Sequence, residues 1–217
     1  METLVPNRLL FRFEFPIYYR QSPVIDGDLS DWSDQFLVPE FGALDEQPPF
    51  GKIYLAWNEQ GLFIACHVEG RKSAFQCDPK SFWKGDNLRL CTDMRDTRDI
   101  KRGSRYCQQF YFLPSGGGRD GRSPVAGAAK IVRATENAPP VPPGLIQVAG
   151  QRQGSCYTLE GHIPAEALSG FDPGEHRRIG VYTLIEDRDL GQQHLTVGDD
   201  LNWYLDPSTW ATGVLTR

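Results

Sequence analysis

Apolar and polar residues alternate with a period of two along most of this chain, the signature of half-buried strands. Phe11, Phe13 and Phe15 alternate with Arg12 and Glu14, and Pro16 marks the end of that strand or an edge position. Ile53, Leu55 and Trp57 share one face, Asn58–Gly61 turns the chain, and Leu62, Ile64, Cys66 and Val68 alternate on the way back, which predicts a hairpin. Leu88 and Leu90 oppose Asn87, Arg89 and Cys91 on the next strand. Tyr106, Gln108, Phe110 and Phe112 then alternate with Cys107, Gln109, Tyr111 and Leu113; both faces are partly apolar, as in a central strand. A short strand is expected over Lys130–Thr135. A second hairpin is expected over 144–151 and 155–163, with Tyr157, Leu159 and Ile163 facing inward. Ile179, Val181, Thr183 and Ile185 form another strand, and Gly213–Thr216 closes the chain.

The intervening stretches are turn-rich. Residues 39–51, 71–82, 93–104 and 114–124 read as loops, and 138–144 as an extended proline-rich connector. Pro164 begins one short helical turn that ends at Gly170. The sum is roughly nine or ten strands with at most one or two helical turns. That predicts an all-β fold, a two-sheet antiparallel β-sandwich of jelly-roll type. A length of 217 residues suits one such domain spanning 1–217, with residues 1–23 as an N-terminal strand extension.

Composition sharpens this picture. The 22 glycines and 16 prolines suit strands and turns. A net charge of −5 argues against nucleic acid as a partner. The cluster Arg95, Arg98, Lys101, Arg102 and Arg105 is interleaved with Asp93, Asp96 and Asp99, a mixed-sign solvated loop. No run reaches the length of a membrane span, so no membrane partner is expected. Five cysteines, an odd number without a C-x-x-C pair, read as free thiols in a reducing compartment. The start shows no basic region followed by a long apolar run. The default compartment is therefore the cytoplasm, with secretion left open.

Several groups invite chemistry. Asp26, Asp28 and Asp31 suggest a calcium loop, but that loop wants Gly at its sixth and Glu at its twelfth position, and Asp31 and Leu37 stand there. A turn closed by Asp side chains on nearby backbone fits better. The glycines of 114–124 lack phosphate-loop spacing. Glu160, Glu186, Asp187 and Asp189 offer a carboxylate pair for a glycosidase, though 28 acidic residues make accidental pairs common. His67 is the haem-ligand candidate. The clearest binding feature is Trp83, followed by the turn Lys84–Asp86 and a charged strand face.

The order of these signals resembles the family 9 carbohydrate-binding modules and the wider DOMON-like sandwiches. The resembling residues are Val24–Trp32, the hairpin Ile53–Val68, Trp83–Arg89, Tyr157–Pro164, and Asp206–Trp210 with Gly213–Leu215. The resemblance implies a sugar held between two tryptophans, here Trp83 and Trp203, with Arg89, Asp86, Lys84 and Asp200 as rim residues. An indole face suits the C–H face of a pyranose, and its hydroxyls need polar partners. This chain departs from the sugar-binding members in having Arg89 where they carry Glu and Leu184 where they carry Gln. Those changes fit a different sugar, an anionic one bound by Arg89, or a module that has lost binding. The implied function is non-catalytic binding of a small saccharide or glycan end in carbohydrate catabolism, with a glycosidase as partner. No cofactor is assigned, and structural calcium stays open without assignable ligands. The alternatives are a structural or protein-interaction sandwich, a haem protein and a glycoside hydrolase.

Overall fold

The computed structural model describes residues 12–217, so Phe11 and the part of the first strand before it lie outside the described residues. Alternation becomes strand wherever expected in the two hairpins. Gly51–Asn58 (β2) pairs with Gly61–Val68 (β3), and Gln147–Gln153 (β7) pairs with Cys156–Pro164 (β8). The remaining strands are Glu14–Tyr19 (β1), Asn87–Asp93 (β4), Cys107–Gly117 (β5), Ser123–Ala129 (β6), Arg178–Asp187 (β9), Gly191–His194 (β10) and Ala211–Thr216 (β11).

They form one hydrogen-bonded path, β6-β5-β4-β9-β11-β1-β2-β3-β8-β7, with β10 added to β9. The path folds over on itself. Leu88, Leu90, Phe110, Phe112, Val181 and Ile185 from one half share a single buried cluster with Leu55, Ile64, Cys66, Leu159 and Ile163 from the other. The Phe112 ring lies so close to Gly161 that an added Cβ there would fall 2.2 Å from it. The result is the expected all-β sandwich.

Both outer faces are also covered. Over β4 and β9, Cys91, Tyr182 and Leu184 pack with Trp203 and Trp210 from the loop and turn before β11. Over β2 and β3, Tyr54 and Phe63 pack with Trp32 and Phe36. Asp26, Asp28 and Asp31 belong to the segment that carries Trp32. Asp26 and Asp28 accept the backbone N–H groups of Asp28 and Ser30, as Asx turns do. Buried Glu160 accepts from the N–H groups of Asp26 and Gly27 at 3.1 Å and from the Trp32 indole at 2.8 Å.

Four expectations need correction. The strand near residue 130 is β6, which occupies part of the expected loop 114–124, while Lys130–Thr135 forms turns. Its Ala and Gly residues are weak strand formers, but they pair with β5, which runs on to Gly117. β10, too short and polar to show periodicity, pairs with β9. β1 runs in parallel with both β11 and β2, so the sandwich is not wholly antiparallel. Pro16 sits inside β1 at a local edge, the second of its two expected placements, since β1 pairs there with β11 only. Finally, the described residues contain six short 3-10 turns rather than one or two, one of which, Ala165–Ala167, follows Pro164 as expected. No helix among the described residues is long and apolar enough to cross a membrane.

Candidate functional site

A cleft of ≈ 580 Å³ opens on the outer face of the first half of the sandwich. That volume lies within the usual range for small-molecule sites. Strand alternation supplies its floor. Leu88 and Leu90 point into the core, so Arg89 points out; for the same reason Gln109 and Glu186 face outward on β5 and β9. β10 adds Gln192, paired in register with Glu186, and β6 adds Ala129, paired with Gln109. Around this floor stand Phe82, Trp83, Lys130, Val132, Asp199 and Tyr204.

The Trp83 wall is built by a 3-10 turn, Pro79–Lys84. Asp78 caps it by accepting the Lys80 N–H, and Pro79 occupies its first position. Phe82 stacks on Tyr111 of β5, with ring centroids 4.3 Å apart, and Trp83 meets Phe82 edge-on at 5.3 Å. The Asn87 amide donates to the carbonyls of Phe82 and Gly85, which ties the turn to the start of β4. Trp83 is left 52% exposed.

Arg89 is held beneath this wall. Its Nε donates to Asn87 Oδ1 at 2.7 Å and its Nη2 to the Trp83 carbonyl at 3.3 Å. Its guanidinium carbon lies 5.5 Å from the Phe82 ring and 5.4 Å from the Trp203 ring. Burial lowers its pKa, with Glu186 and Asp199 among the charges that oppose the shift. Glu186 is shifted upward by burial, against the Gln192 hydrogen bond and the Arg89 charge that favour its ionised form. The Gln192 amide donates to Glu186 at 2.6 Å and to Asp199 at 3.3 Å. The floor thus places donors and acceptors side by side, with its cations and anions near balance.

Of the six residues expected in the site, the structure brings Trp83 and Arg89 together in this cleft. Trp203 does not form the expected second wall. It is 1% exposed, stacked on Tyr182 at 4.4 Å, with its indole N–H donated to Asp199 at 2.8 Å and its carbonyl taken by Trp210. Tyr182 leaves a broad apolar face on the outer side of β9, and Trp203 covers it. The ring that lines the cleft from this segment is Tyr204, 36% exposed and edge-on to Trp203. Asp86 is not a rim residue either. It is fully buried, paired with Arg71 at 2.9 and 2.8 Å, and it accepts the N–H groups of Gln76 and Arg188. Lys84 and Asp200 are exposed outside the lining, and the neighbouring Asp199 takes the place expected of Asp200.

Sequence reading missed Tyr204, Gln109, Gln192, Lys130 and Val132 as lining residues, and it weighed Glu186 only as a catalytic acid. Alternation put Gln109 on the face opposite Phe110 and Phe112, but both faces of that strand are partly apolar and its outward side stayed open. The meeting of Gln109 and Glu186 with Arg89 depends on register: Asn87 opposite Glu186, Cys91 opposite Gln109. The other carboxylates that could have formed a catalytic pair are engaged elsewhere. Glu160 holds the Asp26 turn, Asp187 pairs with Arg71 at 2.7 Å, and Asp189 accepts the N–H groups of Lys72 and Ser73. His67 lies beside Glu69 on the edge of a separate hollow of ≈ 190 Å³.

Strand order and register define a β-sandwich with an open cleft on one outer face. More narrowly, the fold is that of the family 9 carbohydrate-binding modules. The chain is similar to a family 9 module from Caldicellulosiruptor kristjanssonii in complex with cellotriose, at 14% identity over 94% of each chain with a TM-score of 0.64. It is similar to one from the same organism in complex with glucose, at 14% identity over 94% of this chain and 97% of that one, TM-score 0.65. A candidate carbohydrate-binding protein from Bacteroides uniformis matches at 10% identity over 95% and 100% of the two chains, TM-score 0.57. At such identities the likeness concerns the fold. No protein-family profile matches the chain, and no curated protein does.

Proposed function

We propose that this chain is a non-catalytic carbohydrate-binding module that holds a saccharide end in the cleft between Trp83 and Tyr204. One observation carries the reading. Of the five large apolar side chains exposed among the described residues, three, Trp83, Val132 and Tyr204, line this one cleft. Isolated exposed apolar residues are ordinary, but their concentration around a hollow marks a binding surface. The floor suits hydroxyls, each of which donates and accepts: Arg89 donates, Glu186 accepts, and the amides of Gln109 and Gln192 offer both groups. The solved structures with glucose and cellotriose, on the same fold, support the same reading. The resemblance extends it to carbohydrate breakdown beside a glycoside hydrolase.

Titration of tryptophan fluorescence with glucose, xylose, galactose, cellobiose and cellotriose tests the proposal. Saturable binding is expected with a dissociation constant of roughly micromolar or weaker, because one or two rings bury little area. Trp83→Ala is expected to weaken it at least about tenfold, read by calorimetry, since exposed tryptophans dominate such contacts. No response to any sugar would leave a structural or protein-interaction sandwich in its place. Binding that survives in Trp83→Ala would move the site elsewhere.

A further inference from the structure

The cleft is longer than one sugar ring and changes character along its length. Its floor crosses five strands in the order β10, β9, β4, β5, β6. At about 4.8 Å between neighbours that is about 19 Å from the first to the last. A hexose fills about 200 Å³, roughly six or seven waters' share of the liquid, against the cleft's ≈ 580 Å³. At the β10 and β9 end stand Glu186, Gln192 and Asp199, joined by hydrogen bonds. At the β6 end stand Ala129, the exposed Lys130 and Val132, the last 61% exposed on the turn that follows the strand.

We infer that the Val132 end is a second subsite that takes an apolar aglycone, an aryl or alkyl group on the linkage oxygen of the bound sugar. This rests on the proposed sugar binding and names what the sugar carries. A second pyranose is the less suited occupant. Val132 is branched and aliphatic, offers no flat face for stacking and has no hydrogen-bonding group. Hydroxyls set against Val132 would lose water without gaining a partner there, and the neighbouring Lys130 can donate to them but not accept from them. An apolar group there takes both its own surface and that of Val132 out of water. The polar end then orients the ring so that its linkage oxygen points towards β6.

The test compares methyl and p-nitrophenyl β-glycosides of glucose, xylose and galactose, together with cellobiose, by calorimetry on the full chain. Three proteins are used: the native chain, Val132→Ser and Val132→Leu. The native chain is expected to bind at least one p-nitrophenyl glycoside about tenfold more tightly than its methyl counterpart. In Val132→Ser the ratio of aryl to methyl affinity is expected to fall towards one, whatever the absolute affinities become; in Val132→Leu it is expected to be retained. Equal affinity for methyl and aryl glycosides, or a preference that survives Val132→Ser, overturns the second subsite while leaving sugar binding intact. So does cellobiose gaining as much as the aryl glycoside and losing it in Val132→Ser, since the subsite would then be one for a sugar. Absence of binding by every glycoside overturns both readings together.

Discussion

Single side chains in this protein take their roles from small differences in position. Trp203 and Tyr204 are neighbours, yet the indole is buried on Tyr182 while the phenol lines the cleft. Asp199 and Asp200 divide in the same way. Glu186 makes the clearest prediction at this scale. Burial holds its pKa above the ordinary carboxylate value of 4.5, with Arg89, Arg188 and Gln192 drawing it down and Asp199 pushing it up. Above that raised value the carboxylate is ionised and accepts hydroxyl donors more strongly. Affinity for sugar is therefore expected to climb as pH rises from about 4.5 through the shifted pKa, and to level off beyond it. Glu186→Gln is expected to flatten the profile. A native profile that stays flat from pH 4 to 8, or a variant that keeps the rise, would assign the titration elsewhere.

Elements matter through what they hold still. The Trp83 turn is pinned on several sides: the Asp78 cap, the Asn87 amide, and the buried Arg71–Asp86 pair just behind it. Gly85 sits between turn and strand with its Cα hydrogen towards the Gln76 carbonyl, where a Cβ would come within 1.9 Å of the oxygen. Its own backbone is extended, so close approach rather than an unusual dihedral demands glycine. Gly85→Ala is expected to push the turn off the 76–77 segment, at a stability cost of about 1–3 kcal/mol. Sugar affinity should fall with it, because Trp83 and the carbonyl that holds Arg89 both move. Chemical denaturation and calorimetry on the same preparation check this; unchanged affinity would separate Trp83's position from the turn's anchoring.

At the scale of the molecule, the sandwich hides most of its sulfur. Cys66, Cys91 and Cys107 are buried, and Cys77 and Cys156 half-buried. Burial pushes the Cys66 thiol up to about 12 and the Cys107 thiol to about 11, and raises Cys91 further. Thiolates are the reactive form, so at pH 8 a chromogenic disulfide reagent is expected to titrate at most the two half-buried cysteines in the native chain. All five should react in denaturant. Fast reaction of three or more in the native state would mean the sandwich opens far more readily than its packing implies.

Alternation already carried the hairpins, the inward faces of β4 and β9, and hence the all-β sandwich, because a two-residue period leaves one way to bury such a strand; β5, apolar on both faces, was legible as a strand but not as to its inward side. Alternation carried Arg89 as an outward group for the same reason, whereas Trp83 stood out through the turn that follows it. β6 and β10 were not legible, since alanine, glycine and glutamine follow no apolar pattern and become strands only through their partners. Nor was the second wall. Trp203 and Tyr204 look equally able to face a ligand until Tyr182 is found beneath one of them. The cleft itself is a product of register, which sets Arg89 of β4 among Gln109, Glu186 and Gln192 from three other strands. Local pattern reports which side of a strand a residue occupies. Which distant side chains share that side depends on strand pairing across long stretches of chain, and only the folded molecule contains that information.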